Sequence, residues 1–120
     1  MVDDEPDVLL VMRMQLERAG HTTALAADGE QALERLDDAE LVLLDVSMPI
    51  MDGWSVLEAV RARAEPMPVV VMSGRGRSED IRRAFELGAA DYLTKPFLPD
   101  RLLAVVDAVL SRRAAARDGD

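Results

Sequence analysis

Five residues in this sequence have the types needed for phosphoryl chemistry: Asp3, Asp4, Asp45, Ser73 and Lys95. Asp45 closes the apolar run Leu41-Val42-Leu43-Leu44, Ser73 closes Val69-Val70-Val71-Met72, and Lys95 follows Tyr92-Leu93-Thr94. Three carboxylates gathered at one place repel, and without a counter-charge at least one is pushed toward protonation. A hard divalent cation relieves that repulsion. Oxygen ligands with no His or Cys nearby favour Mg²⁺, which keeps several waters and takes one or two carboxylates plus a phosphate oxygen. Phosphoryl transfer asks of a protein chiefly in-line positioning and neutralisation of charge on three equatorial oxygens. Mg²⁺ can serve one oxygen, the Lys95 ammonium a second and the Ser73 hydroxyl a third, with the Asp45 carboxylate as the nucleophile of an aspartyl phosphate. Lys95 stands out further because the 14 basic residues comprise 13 Arg and this one Lys. A lone Lys in an Arg-rich chain marks a position where the broader guanidinium does not serve.

Each residue alone carries little. An Asp at a strand end is often a helix cap, and a Ser before Gly is usually turn chemistry. The argument therefore depends on the elements that bring them together. Leu9, Met12, Leu16 and Ala19 follow helical spacing after Pro6 in a first turn, and Gly20 stops that helix. Thr22 to Leu25 reads as a short strand, and Asp28-Gly29 leads into a second helix through Leu36. The runs ending at Asp45 and Ser73 are continuously apolar, the pattern of strands buried on both faces. A loop from Val46 to Gly53 precedes a third helix through Val56, Leu57 and Val60. A fourth helix carries Ile81, Ala84 and Phe85 up to Gly88, Tyr92-Leu93 is a last strand, and Leu102 to Leu110 a final helix. Strand and helix alternate with short connections, which implies a parallel sheet covered on both faces by right-handed crossovers. The carboxyl ends of such strands form the ligand crevice, so Asp3, Asp4, Asp45, Ser73 and Lys95 are expected to converge there. Trp54 is expected to pack at the start of the third helix and His21 to sit in a solvated turn.

Length and composition bound the rest. The 120 residues fit one domain, and the balance of 49% apolar with 31% charged residues is a globular one. No apolar run approaches the roughly 20 residues of a spanning helix. The acidic start, Met1-Val2-Asp3-Asp4-Glu5, lacks the positive charge of a secretory signal, and the absence of cysteine is compatible with a reducing cytoplasm. A net charge of −9 opposes direct binding to nucleic acid, whose affinity comes mainly from Lys and Arg.

Asp3-Asp4-Glu5-Pro6, the stretch from Asp45 through Pro49 to Gly53, and the stretch from Gly88 through Asp91 and Tyr92 to Lys95-Pro96-Phe97 together resemble the receiver domains of two-component response regulators. The resemblance runs from Met1 to about Arg113, leaving residues 114–120 as a frayed or disordered tail. It implies a single doubly wound (βα)5 flavodoxin-like α/β domain, with a five-stranded parallel sheet of order 2-1-3-4-5. It also implies a cytoplasmic phosphoacceptor rather than an enzyme in the ordinary sense: Asp45 takes phosphate from a sensor histidine kinase, a phosphotransfer protein or a small phosphodonor. Asp3, Asp4 and Asp45 would hold Mg²⁺ with the backbone carbonyl of Ser47, Ser73 and Lys95 would contact the phosphoryl group, and Lys95-Pro96 would be cis. On phosphorylation Ser73 would move toward the phosphate and Tyr92 would turn inward, changing the face of the fourth helix, fifth strand and fifth helix, through which a homodimer or downstream effector would bind.

One departure stands out. Receiver domains usually carry four or five apolar residues before the acid pair, and here Met1 and Val2 alone precede it. Four buried apolar side chains at roughly 1.5–3 kcal/mol each rival the whole stability of a domain. The first strand is therefore expected to be unusually short, and either the natural chain has residues before Met1 or something else fills the gap. Two other readings compete with the phosphoacceptor one. A Mg²⁺-dependent phosphohydrolase of the haloacid-dehalogenase type would carry a second Asp two residues after the nucleophile, where this chain has Ser47, and would need a cap domain. A phosphorylation-independent interaction module on the same fold would have degenerate sites, whereas the five positions are filled here.

Overall fold

The computed structural model describes residues 1–2, 6–26, 28–46, 53–63, 67–74 and 78–118. Three parallel strands make its central sheet, in the order β1 (Val42–Asp45), β2 (Val69–Ser73), β3 (Asp91–Thr94). Val42 pairs with Val69 and Asp45 with Met72, while Val70 pairs with Asp91 and Ser73 with Thr94. Every residue of β1 and β2 is buried, which is why their sequences read as unbroken apolar runs.

Alternate side chains feed two cores. Val42, Leu44, Val69 and Val71 pack with Val56, Leu57 and Val60 of α3 (Gly53–Arg61) and with Ala84 of α4 (Ser78–Glu86). Leu43, Val70, Met72 and Leu93 face the other way, onto Met12 and Leu16 of α1 (Pro6–Arg18) and Leu102, Val105, Val106 and Val109 of α5 (Pro99–Asp118). Fully buried Leu44, Leu57 and Leu102 each contribute about 1.5–3 kcal/mol relative to exposure. Leu9, Met12 and Leu16 of α1 and Val56, Leu57 and Val60 of α3 are buried as their spacing predicts, whereas Ala19 lies past the end of α1 and is exposed. In α4, Ala84 is buried but Phe85 is 48% exposed.

The first two expected strands are reduced to single parallel bridges. Val2 bridges Leu44 on one side and Ala26 on the other, which gives the expected 2-1-3-4-5 arrangement with a three-stranded ladder rather than five full strands. Val2 N–H donates to Leu43 O at 2.8 Å, Asp45 N–H to Val2 O at 2.9 Å and Ala26 N–H to Met1 O at 2.9 Å. Thr22 to Leu25 thus runs beside the sheet without a ladder of its own, because its partner pairing extends over one position.

The helix bounds also differ from the spacing-based expectation. Asp28 Oδ1 accepts the Gln31 N–H at 2.9 Å and caps α2 (Gly29–Glu34), after which the chain tightens into a 3₁₀ turn over Leu36–Asp38. α5 continues to Asp118, so 114–118 are helical where a frayed tail was expected; Ala114, Ala115 and Ala116 are the strongest helix formers. Gly20 and Gly88 stop α1 and α4 at φ 95°, the left-handed conformation a glycine adopts at least cost.

Candidate functional site

Each parallel strand brings one of the residues proposed from the sequence to its carboxyl end. Asp45 is the last residue of β1 and Ser73 the last of β2, and both are 2% exposed in a layer otherwise apolar. Lys95 follows β3, and its N–H donates to Ser73 O at 2.7 Å, so the ladder itself fixes the lysine beside the serine. The Lys95 Nζ then reaches across β2 and donates to Asp45 Oδ2 at 3.0 Å, joining residues 50 positions apart in sequence. The Lys95-Pro96 peptide bond is cis, as the resemblance implies.

A carboxylate this deeply buried is costly to desolvate, and one ammonium partner seldom makes such a pair favourable relative to apolar packing. A buried acid–lysine pair at the mouth of a parallel sheet is thus a mark of function more than of stability. The third member of the cluster, Ser73, shares a hydrogen bond with the Tyr92 hydroxyl. Tyr92 is 7% exposed and already turned inward, the orientation that the resemblance assigns to the phosphorylated state. Burial pushes its phenol up by more than the Ser73 bond offsets, and the charges of Asp80 and Asp45 push it in the same direction.

Three residues proposed from sequence, Asp3, Asp4 and Ser47, lie outside the described residues. Their neighbour Val2 is described, and its carbonyl accepts the Asp45 N–H. Spacing did not reveal two other contributors. Gly53 begins α3 so close to β1 that a Cβ there would lie 2.8 Å from Asp45 O and 2.6 Å from Val46 Cα. A glycine at the first position of an apolar-periodic segment was the available signal. Trp54, buried at the start of α3 as expected, carries the Arg83 guanidinium 4.5 Å from its ring centroid. No sequence spacing marks that pairing across α3 and α4. His21 lies far from this cluster, with its Nε2 3.3 Å from Asp107 Oδ1.

An open α/β sheet with an acid, a hydroxyl and a lysine converging at the carboxyl ends of its strands defines a class: a doubly wound domain with its reactive site at the strand termini. Comparison with known proteins narrows this to one family. The family model described as the response regulator receiver domain matches residues 1–107, and the chain belongs to that family. It is 42% identical over 113 residues to the transcriptional regulatory protein CpxR of Escherichia coli K12, a match that covers 93% of this chain and 48% of that protein. It is 40% identical over 117 residues to the transcriptional regulatory protein PrrA of Mycobacterium tuberculosis, covering 96% and 50%. Among solved structures, the receiver domain of NtrX from Brucella abortus is similar at a TM-score of 0.84 and 35% identity, covering 92% of this chain and 95% of that one. The chain spans about half the length of the curated relatives it matches. It is a receiver domain of the two-component response-regulator type, a signalling domain. Among the described residues, no helix is long and apolar enough to cross a membrane.

Proposed function

We propose that this chain is a phosphoacceptor switch in which Asp45 takes a phosphoryl group from the phosphohistidine of a sensor kinase or phosphotransfer protein. The observation that carries the reading is the buried Asp45–Lys95 pair, with Ser73 held at the next strand end by the Lys95 N–H. An Asp45 oxygen forms the new bond to phosphorus as the phosphorus–nitrogen bond of the donor breaks. The Lys95 ammonium and the Ser73 hydroxyl stabilise two of the equatorial oxygens, fixed beforehand by the ladder.

The donor set suits Mg²⁺. Asp45 offers a hard carboxylate at the carboxyl end of β1, and its N–H donates to the Val2 carbonyl. Asp3, Asp4, Asp45 and the Ser47 carbonyl would hold the ion, an all-oxygen set. When bound, the ion supplies charge neutralisation at a phosphoryl oxygen. The hydrogen bond between Ser73 and Tyr92 supports a switch in which the two side chains respond together: as Ser73 engages the phosphoryl group, Tyr92 is held in its inward position, on the surface formed by α4, β3 and α5. A downstream effector or a second copy of the chain would read that surface.

Acetyl phosphate with Mg²⁺ should add one phosphoryl mass to the intact chain, and Asp45→Asn should abolish the addition. Labelling of Asp45→Asn at the wild-type level would overturn the assignment. Lys95→Arg keeps the charge but replaces a compact ammonium with a broad planar head, so it should fold and lose the phosphate-induced change in dimerisation or partner binding.

A further inference from the structure

Two helices cover the same face of the sheet and are held there unequally. α3 buries Gly53, Trp54, Val56, Leu57 and Val60, whereas of the nine residues of α4 only Ala84 is buried. Ile81 and Leu87 are partly buried against the same core, which also contains Trp54 and Tyr92. Apolar burial therefore fixes the place of α4 weakly, and contacts at its borders carry more weight. Two arginines make such contacts along the seam with α3. The Arg83 guanidinium of α4 lies 4.5 Å from the centroid of the Trp54 ring, and the Arg61 side chain of α3 lies against Gly88, its Nε 2.8 Å from where a Cβ would sit. Trp54 is tied to the reactive site, because it follows Gly53, whose approach to Asp45 O and Val46 Cα fixes the start of α3 against the end of β1. α4 faces the site as well. Asp80, Arg83 and Ala84 follow i, i+3, i+4 spacing and share one face, and the Asp80 charge acts on the Tyr92 phenol. One turn of helix thus joins the Trp54 ring to the surroundings of Tyr92, and Tyr92 in turn bonds Ser73.

We propose that Arg83 is a positioning residue of the switch: its stack on Trp54 seats α4 on α3, and the seated α4 holds Tyr92 in its inward position against Ser73. The inference deepens the phosphoacceptor reading and rests on it for the meaning of that position, since Tyr92 inward is the arrangement in which Ser73 engages the phosphoryl group. An aliphatic residue would fill the core at position 54, but only an aromatic face attracts a cation, and the indole attracts it most. Arg suits the other side of the contact, because its planar guanidinium stacks on a ring where a Lys ammonium does not. Arg83 is exposed, so the contact sits at the border of the core and is a weak one. It shifts an equilibrium about two- to fivefold. A contact of that size biases a two-state element without fixing it, which leaves a phosphoryl group able to complete the shift.

The chain has one tyrosine, so a fluorotyrosine label reports on Tyr92 alone. Fluorine NMR of the labelled chain, without phosphate, reads the inward-to-outward ratio of that ring from the solvent-isotope shift of its resonance. Arg83→Gln keeps the length of the side chain and removes its charge, and should lower the ratio about two- to fivefold. In a Trp54→Leu background the same change should do little, because the contact is already gone. If Trp54→Leu does not fold, Trp54→Phe takes its place, and its weaker face should shrink the Arg83→Gln effect. Acetyl phosphate with Mg²⁺ separates this inference from the phosphoacceptor reading: Arg83→Gln should still gain one phosphoryl group, and a wild-type chain that gains none sinks the Asp45 assignment while the resting ratio still decides the seat. The proposal is overturned if wild-type Tyr92 is mainly outward, or if Arg83→Gln lowers the ratio equally with and without the Trp54 ring. It is also overturned if Arg83→Gln lowers the melting temperature and leaves the ratio at its wild-type value, which would make the stack a structural contact and nothing more.

Discussion

The two sides of the sheet are built differently. From β1 to β3, consecutive residues pair in register and every side chain of β1 and β2 is buried. On the other side of β1, pairing among the described residues is by two single bridges, Val2 to Leu44 and Val2 to Ala26, with a cavity of about 450 Å³ beside them. The site residues Asp45, Ser73 and Lys95 all belong to the first side. Among the described residues, the Asp45, Ser73 and Lys95 geometry is set by ladder and core on the β2 side, while on the side bordering segment 22–26 the Val2 carbonyl on the Asp45 N–H is the bond that reaches the cluster.

The largest effect that can sharpen this contrast is on stability. Leu44→Ala removes a fully buried side chain from the middle of β1 and should cost about 2–5 kcal/mol. Leu25→Ala, in the segment bordering the cavity, should cost less than about 1 kcal/mol. Urea denaturation of both variants measures the difference; equal losses would erase the distinction between the two sides.

Gly53→Ala probes how closely the site is packed on the β2 side. The added Cβ would press on Asp45 O and Val46 Cα, a close approach to backbone that costs about 1–3 kcal/mol, while the gain in helix propensity returns up to about 1 kcal/mol. The net should be a modest loss of stability together with slower labelling by acetyl phosphate, measured well below the melting temperature. Unchanged labelling would show that the α3 approach does not position Asp45.

Much of this was legible in the sequence, and for a physical reason. A strand buried on both faces must be apolar throughout, so the runs ending at Asp45 and Ser73 announced both the strands and the residues placed at their ends. Lys95 was legible from residue choice, as the one Lys among Arg. What stayed hidden depends on contacts between distant segments. Arg83 over Trp54, Gly53 against Asp45 O and Arg61 Nε 2.8 Å from where a Gly88 Cβ would sit have no periodic signature. The inward position of Tyr92 is equally invisible, since a half-buried and a buried strand aromatic have the same spacing. The extent of α5 was underread because an Ala-rich, then polar stretch fits both a helix and a frayed tail. The Arg113 guanidinium, bonded to Glu40 O at 2.6 Å, ties its second half down.

The smallest expected effect concerns the Met1 amine, on the cavity side of the contrast. Burial, with Arg35 beside it, lowers this amine from 8.0 to about 6 in the folded chain. Between those values the unfolded chain holds more of the proton than the folded one, so stability rises with pH across the window from about 6 to 8. Above the window both states are neutral and the penalty is gone; below it both are charged and the penalty is complete. The gain across the window should be on the order of 1–2 kcal/mol, because part of the amine's environment is open to water. The comparison is with an N-acetylated chain, which removes the amine and leaves every other side chain in place. Urea midpoints at both ends of the window should differ more for the free amine than for the acetylated form. Parallel pH profiles would mean that the amine is solvated in the folded chain and that its burial beside Arg35 contributes nothing to the stability of this side.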